Sequence, residues 1–266
     1  MQNIYITGTG FWIPEDGLTT NDEVVNSYNA FVDNFNEANS EAISAGSIEA
    51  MSHSSSEFIE KASGIKTRYL FDKANCLDSK RMKPKTRPEL PNNTSILAEM
   101  GIKSAKKAIE SAGISVDDID GVILGTSHSA RNYPAIAIEI QEALGIKGYA
   151  YDMLVGCSST TFAISNAYSD IASGLASTLL VINPELTSPG NDFRIRDSHF
   201  IFGDACVATI VQGNLDNPKD VFEIKDRELI TQFSNNIRSD FSYMNRTDDL
   251  NRGDAVSYTH LTLPTK

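Results

Sequence analysis

The sequence has few cysteines for its length, and their arrangement argues against two classes of protein. Cys76, Cys157 and Cys206 are the three cysteines among 266 residues, and they lie far apart in the chain. Small secreted domains that depend on disulfides place their cysteines densely, and structural zinc sites need closely spaced cysteine or histidine pairs. We therefore expect neither a disulfide framework nor a metal site.

Long apolar runs and an excess of positive charge are also missing. No run approaches the ~20 apolar residues that a membrane-spanning helix needs. The start of the chain, MQNIYITGTG, lacks the basic and apolar regions of a signal peptide. A formal net charge of -12 argues against nucleic acid as the main partner. The sequence thus predicts a cytoplasmic protein with no membrane span and no nucleic-acid partner.

Apolar periodicity predicts alternating strands and helices along the chain. The predicted strands cover residues 3–7, 121–127, 149–155, 178–183, 206–212, 221–224 and 229–233, and the predicted helices cover residues 21–35, 95–112, 134–144 and the segment after 157. We expect the first strand to end in a turn at Gly8. Because the strands are apolar on both faces, this order predicts an α/β fold with helices on both sides of a layered sheet.

Two stretches depart from this alternation. Residues 36–56 are small and polar, which is typical of an insertion over the surface. Residues 73–93 form a basic loop in an acidic protein, and the loop either is simply solvated or docks an anionic partner; its cations are Lys80, Arg81, Lys83, Lys85 and Arg87.

Cys157 occupies the most informative position in the chain. The apolar run 149–155 ends at Gly156, Cys157 follows, and a helical pattern then runs to Gly174. The unpaired N–H groups and positive dipole end of that helix favour an anion, and hence a thiolate. Such a turn from strand to helix parallels the one that presents a serine nucleophile in hydrolases. A buried cysteine that only fills space remains the alternative.

Three stretches together resemble one family. They are SGIKTRYL at 63–70, GIKGYAYDMLVGCSSTTFAI at 145–164 and RDSHFIFGDACVATIV at 196–211. Their order and separation are similar to those of the β-ketoacyl-acyl-carrier-protein synthase III family, within the thiolase-like superfamily. The resemblance covers about residues 2–250, and the polar insertion near 36–56 departs from the short bacterial members.

The resemblance implies a fold, a reaction and its partners. The fold would be thiolase-like, a layered mixed sheet covered by helices, with two similar halves stacked on each other. Cys157 would take an acyl group from acyl-CoA as a thioester. Malonyl-acyl-carrier protein would then lose carbon dioxide, and its carbanion would attack the thioester in the first steps of fatty acid biosynthesis. Acyl-CoA is a substrate in this scheme, no cofactor is bound permanently, and the enzyme is a homodimer.

The same resemblance suggests roles for further residues. Phe58 lies where the family often has a tryptophan that stacks on the CoA adenine, and Arg196 matches an arginine on the other face of that base. Core packing for Phe58, and ion pairs with Asp192 or Asp197 for Arg196, remain the alternatives. Tyr133 matches a residue that crosses the dimer interface and closes the partner's acyl tunnel. Asp204, in the FGD element, is interpreted as a structural residue that holds a turn beneath the nucleophile.

The family's decarboxylation residues, a histidine and an asparagine, have no match in this sequence. We expect them beyond residue 266, which makes the chain a C-terminally truncated form, inactive and poorly stable by itself. Of the histidines present, His199 is interpreted as structural rather than as the base. We assign residues 1–255 to the N-terminal synthase domain, with its second half starting after about 215. The end, residues 256–266, resembles a translated sequencing adapter and is expected to be a non-native tail.

Two other functions stay open at this point. One is a different thiolase-fold CoA acyltransferase, similar to hydroxymethylglutaryl-CoA synthase, for which no glutamate base is placed. The other is a non-catalytic subunit that only dimerises, against which the intact Cys157 argues. Acyl chain length and pathway are not specified by the residues.

Overall fold

The computed structural model describes residues 3–87, 93–216 and 220–233, and two sheets lie within them. The larger sheet has the strand order β5–β4–β6–β7–β1–β8 and the smaller one pairs β2 with β3. The strands are β1 (Ile4–Trp12), β2 (Leu18–Thr20), β3 (Thr67–Tyr69), β4 (Gly121–Thr126), β5 (Tyr149–Leu154), β6 (Thr178–Glu185), β7 (Ala205–Gly213) and β8 (Phe222–Glu223).

The helices fall in the predicted segments, with short additions. They are α1 (Asn21–Ala38), α2 (Ser40–Ser44), α3 (Ser56–Ser63), α4 (Lys73–Cys76), α5 (Ile96–Ala112), α6 (Ile136–Leu144) and α7 (Ser159–Ala172). Single 3₁₀ turns lie at Val116–Asp118, Gly156–Ser158 and Ser188–Gly190. Thr20 caps α1, and its capping box with Glu23 satisfies donors at both residues. Gly113 ends α5 in the left-handed conformation, as predicted.

The larger sheet is mixed, and its central strands are buried on both faces. β4 runs parallel to β5 and to β6, whereas β6 and β7, and β7 and β1, are antiparallel. Val122 and Leu124 of β4 pack with α5 and α6 on one face. Ile123 lies between them in sequence and packs with α7 on the other face. The expected α/β fold with helices on both sides is therefore confirmed.

The predicted turn at Gly8 is wrong, because β1 continues through it to Trp12 with an irregularity between Ile6 and Gly8. A Cβ on Gly8 would lie 2.4 Å from the carbonyl oxygen of Ala108, and one on Gly10 would lie 2.3 Å from that of Ser104. Both glycines thus allow α5 to cross close above the strand.

Other expectations fail or stay untested at the end of the chain. The predicted strand at 221–224 is β8, but residues 229–233 form no strand. The described residues up to Arg227 form one compact unit. The predicted tail at 256–266 lies outside the described residues, and the assignment of a domain ending at 255 stays a prediction. Within the described part of the chain, no helix is both long and apolar enough to cross a bilayer.

Candidate active site

Cys157 lies in the turn that joins the end of β5 to the start of α7. The turn is the 3₁₀ segment Gly156–Ser158, and α7 begins directly after it at Ser159. Gly156 has φ +58°, a conformation that residues with a Cβ rarely adopt. The side chain of Cys157 is exposed, so the alternative of a buried, space-filling cysteine is wrong.

Ser159 fixes this turn to the neighbouring strand. Its Oγ accepts a hydrogen bond from the N–H of Val155 at 3.0 Å and lies 3.1 Å from the carbonyl oxygen of Thr126 at the end of β4. It is also 2.8 Å from the carbonyl oxygen of Gly156. Because Ser159 is buried, one hydroxyl ties both ends of the nucleophile turn to the sheet.

The other two cysteines are unsuited to covalent chemistry. Cys76 and Cys206 are buried, and desolvation raises the pKa of each thiol to about 12. Thiolates are the reactive form of cysteine. Of the three cysteines, only Cys157 is both exposed and placed at a helix N-terminus.

Asp152 of β5 holds the start of α6, which begins at Ile136 rather than at the predicted Pro134. Its carboxylate accepts hydrogen bonds from the N–H groups of Ile136 and Ala137, each at 2.8 Å. Burial raises the pKa of Asp152, while these two bonds lower it. Tyr133, in the loop before α6, is 72% exposed and contributes nothing to the core of this chain.

Phe58 and Arg196 lie together, as the resemblance implied, but in direct contact. The guanidinium carbon of Arg196 is 4.1 Å from the centroid of the Phe58 ring. Arg196 also donates from Nε to the carbonyl oxygen of His53 at 2.8 Å, and its pairing with Asp197 is long, at 3.7 Å. Since 4.1 Å is van der Waals contact, a base cannot lie between the two side chains in this conformation.

Phe58 also makes the core-packing contacts that were the alternative interpretation of this residue. The ring meets Phe200 edge-to-face, with centroids 5.9 Å apart, beside the buried Ile59. One side of Phe58 therefore belongs to a small apolar cluster and the other side supports Arg196.

His199 is a buried residue within this same region. Its Nδ1 lies 2.7 Å from the carbonyl oxygen of Arg196, and its ring stacks on Tyr28 with centroids 4.7 Å apart. Burial lowers the pKa of His199, which keeps it neutral, with the proton on Nδ1 shared between the carbonyl groups of Ile195 and Arg196. These contacts support the structural interpretation of His199.

Two of the remaining three histidines lie among the described residues. His53 pairs with Asp33 on the surface at 2.7 Å, and His128 lies in the turn after β4. His260 lies outside the described residues. The histidine and asparagine that the resemblance implies are therefore not represented among the described residues.

Asp204 holds a turn, as predicted, but not the turn of Cys157. Its Oδ2 accepts from the N–H of Phe71 at 2.7 Å, and its Oδ1 accepts from the N–H groups of Thr187 and Ser188 at 2.8 and 2.9 Å. The carboxylate thus joins the segments that follow β3 and β6 to the entry of β7.

In the described part of the basic loop, residues 73–87, the five cations named above lie on the surface. The guanidinium of Arg81 donates to the carbonyl oxygens of Lys83 and Pro84, and Arg87 pairs with Glu99 at 2.7 Å. Lys83 and Lys85 are exposed. Both readings of the loop, solvated or docking, stay open.

A cavity of about 240 Å³ lies at the end of the sheet where Cys157 is found. His128 and Ala130, which follow β4, and Leu186, which follows β6, line it together with Ile96 and Leu97 of α5. Because β4, β5 and β6 are parallel, their C-terminal ends meet at one edge, and Cys157 follows β5 there. No group of three or more metal-ligating side chains occurs among the described residues.

A mixed sheet between helices, with an exposed cysteine where a strand passes into a covering helix, defines a thiolase-like α/β protein. Residues 151–228 match the family model of 3-oxoacyl-[acyl-carrier-protein] synthase III. The chain is thus similar to the β-ketoacyl-acyl-carrier-protein synthase III family, in its family model, in a curated relative and in a solved structure.

Individual relatives agree with this assignment. The chain is 51% identical over 225 residues to the β-ketodecanoyl-[acyl-carrier-protein] synthase of Pseudomonas aeruginosa, covering 84% of this chain and 64% of that protein. It is 33% identical over 165 residues to a synthase III of Vibrio vulnificus, covering 62% and 46%. The crystal structure of the Aquifex aeolicus synthase III matches with a TM-score of 0.59 and 27% identity, over 80% of this chain and 55% of that one. The chain thus spans less than two thirds of each relative's length.

Sequence reasoning missed Ser159 and Asp152 as site-shaping residues. A serine directly after a cysteine turn and an aspartate within an apolar strand each carry a weak local signal. Their roles depend on contacts with β4 and α6, which no periodicity within β5 or α7 specifies.

Proposed function

We propose that the protein is a condensing enzyme of fatty acid biosynthesis that acts in the cytoplasm. It loads an acyl group from acyl-CoA onto Cys157 and condenses it with malonyl-acyl-carrier protein. The observation that carries the proposal is the exposed Cys157 at the turn from β5 into α7, in a chain whose residues 151–228 match the synthase III family model. An intact and exposed nucleophile favours an enzyme over a non-catalytic subunit.

The first half-reaction is a thioester exchange. The thiolate of Cys157 attacks the carbonyl carbon of acyl-CoA, the carbon–sulfur bond to CoA breaks, and CoA leaves as its thiolate. Main-chain N–H groups at the start of α7 offer donors for the oxyanion that forms in between. Ser159, by fixing Val155 and Gly156, keeps those donors in place.

The second half-reaction forms a carbon–carbon bond. Malonyl-acyl-carrier protein releases carbon dioxide, and the electron pair of the broken bond gives an enolate. The enolate carbon attacks the Cys157 thioester, and the cysteine leaves as a thiolate with the ketoacyl product on the carrier protein. Family members stabilise the enolate with a histidine and an asparagine that this chain's described residues do not include.

The acyl starter is proposed to be of medium length. The Pseudomonas relative is named for a β-ketodecanoyl product, and a condensation that adds two carbons makes such a product from an eight-carbon starter.

A chain-length series of labelled acyl-CoAs tests the proposed function. We expect the purified protein to become acylated most rapidly by octanoyl-CoA, with acetyl-CoA at least about tenfold slower, because each buried methylene contributes roughly 0.8 kcal/mol. Covalent label on the intact protein is the measurement. A protein that none of the acyl-CoAs acylates would contradict the proposal, whereas a preference for acetyl-CoA would contradict only the chain length.

CoA is proposed to bind at Phe58 and Arg196. Because the two side chains are in contact, the adenine ring stacks on the face of the Arg196 guanidinium that points away from Phe58. Cation–π stacking of this type is common for arginine.

Phe58→Ala is expected to raise the octanoyl-CoA concentration for half-maximal acylation about fivefold, corresponding to ~1 kcal/mol of lost stacking. The maximal acylation rate should stay unchanged, because Phe58 supports binding and not chemistry. Acylation rates across a range of octanoyl-CoA concentrations give both values. Normal half-saturation with a collapsed maximal rate would refute this role; Phe222→Ala, an exposed phenylalanine on β8, is the control.

A homodimer through the edge of β5 completes the proposal. β5 pairs with β4 on one side, and no strand in the described part of the chain pairs with its other side. An unpaired edge invites a second strand, and two copies related by a two-fold axis can supply it to each other. The exposed Tyr133, in the loop that precedes α6, is proposed to reach the acyl tunnel of the partner.

A further inference from the structure

Arg196 is the residue proposed to stack on adenine. It is held by residues 51–54, a segment that does not itself contact CoA in the proposed complex. The carbonyl oxygen of His53 accepts its Nε–H at 2.8 Å. This is a single main-chain acceptor on an irregular segment, so the position of the guanidinium depends on what fixes residues 51–54.

Helix α1 fixes residues 51–54 one after another. Asn36 binds Met51 with two hydrogen bonds, from Nδ2 to the carbonyl oxygen at 3.0 Å and from the Met51 N–H to Oδ1 at 2.9 Å. Asn29 binds Ser54 in the same way, at 3.1 and 2.8 Å. Each asparagine amide thus pairs with both the N–H and the C=O of one residue, as a residue of a neighbouring antiparallel strand would.

Ser52 and His53, which lie between the two residues bound by the asparagines, are also held by α1. The hydroxyl of Tyr28 donates to the carbonyl oxygen of Ser52 at 3.3 Å, and the ring of His53 pairs with Asp33 at 2.7 Å. Asn29, Asp33 and Asn36 recur every three or four residues and therefore share one face of α1. Residues 51–54 run along that face in the opposite direction.

Arg196 is fixed from its main-chain side by the same helix. His199 donates from Nδ1 to the Arg196 carbonyl oxygen at 2.7 Å, and the His199 ring stacks on Tyr28. Tyr28 is buried in α1. Helix α1 therefore fixes both ends of Arg196. It fixes the guanidinium through residues 51–54 and the backbone through His199.

We propose that Asn29 and Asn36 are positioning residues for the nucleotide end of CoA. They fix residues 51–54, whose His53 carbonyl holds the Arg196 guanidinium against Phe58. The inference rests on the proposed function, since it assigns these residues a role in that enzyme's CoA site. It also gives the polar insertion near 36–56 a purpose beyond covering the surface.

The test compares two acyl donors that differ only in the nucleotide. We expect Asn29→Ala combined with Asn36→Ala to raise the octanoyl-CoA concentration for half-maximal acylation about fivefold. An arginine side chain that is not held in place loses more conformational entropy when the nucleotide binds. The maximal rate of Cys157 acylation should stay unchanged. Octanoyl-pantetheine, which lacks the nucleotide, should acylate the variant and the unchanged protein equally.

Two further variants separate positioning from a general effect on structure. In an Arg196→Ala background, the two asparagine changes should have no additional effect on octanoyl-CoA, since residues that act through one another are not additive. Asn34→Ala, an exposed asparagine on the same helix, should match the unchanged protein. If the double variant does not fold, Asn36→Ala alone carries the same expectation at about twofold.

The outcomes distinguish this inference from the proposed function. Slower acylation by octanoyl-pantetheine in the asparagine variant, or an additive loss with Arg196→Ala, would overturn the positioning role while leaving the enzyme intact. An unchanged protein in which neither thioester acylates Cys157 would overturn the proposed function and this inference with it.

Discussion

Cys157→Ser is expected to abolish the covalent adduct that the protein forms with octanoyl-CoA. A serine hydroxyl is not ionised at neutral pH and no general base lies against this position among the described contacts, so acylation should fall by roughly three orders of magnitude or more. The backbone turn at Gly156 and the Ser159 tie do not involve the Cys157 side chain, and the fold should be unaffected. Intact-mass spectrometry and peptide mapping measure the adduct.

The other cysteines supply the controls for this experiment. Because burial raises the pKa of the Cys76 and Cys206 thiols to about 12, neither should take up the acyl group in the folded protein. Cys206→Ala should therefore keep the full adduct. An acyl group found on Cys76 or Cys206, persisting in Cys157→Ser, would show that the nucleophile has been misassigned.

Local sequence signals predicted most of the elements around this site. The 95–112 periodicity corresponds to α5, and the apolar run 149–155 corresponds to β5. Such signals succeed here because each central strand is buried on both faces and each helix packs one stripe against the sheet. The position of Cys157 followed from two neighbouring elements alone, and it is confirmed.

Tertiary contacts account for the expectations that failed. Glycine normally indicates a turn, yet Gly8 and Gly10 lie within β1 because α5 crosses within 2.4 Å of where their Cβ atoms would be. The role of Asn29 and Asn36 was also invisible in the sequence, since asparagines on a helix carry no signal for a segment 15 to 25 residues away.

Asp204 shows how far a motif can be interpreted without a structure. The FGD element indicated a structural turn, and Asp204 is 1% exposed and does hold turns. Its partners could not be predicted, because they come from segments more than 130 residues away at Phe71 and 16 to 17 residues away at Ser188 and Thr187.

Asp204→Ala is expected to destabilise the fold by an amount on the order of 4 kcal/mol, because it strips buried N–H groups of a charged acceptor. The donors at Phe71, Thr187 and Ser188 would lose their shared carboxylate acceptor, which is itself buried. For a unit of this size, the loss corresponds to a fall of about 10 °C in the midpoint of thermal unfolding.

Because the Asp204 carboxylate accepts from three main-chain N–H groups, the number of acceptor oxygens that a variant keeps should set its midpoint of thermal unfolding. Asp204→Asn keeps the shape and one acceptor oxygen, but its NH₂ group faces a main-chain N–H, so we expect an intermediate loss. Asp216→Ala, at an exposed aspartate after β7, should leave the midpoint unchanged. Thermal unfolding followed by circular dichroism measures all three variants.

If Asp204→Ala unfolded at the same temperature as the unchanged protein, the carboxylate would not be what joins these segments. The Tyr69 carbonyl, which accepts the Asp204 N–H at 2.7 Å, and the Thr187 hydroxyl, which donates to Gly203 at 2.7 Å, would then have to hold the turn alone.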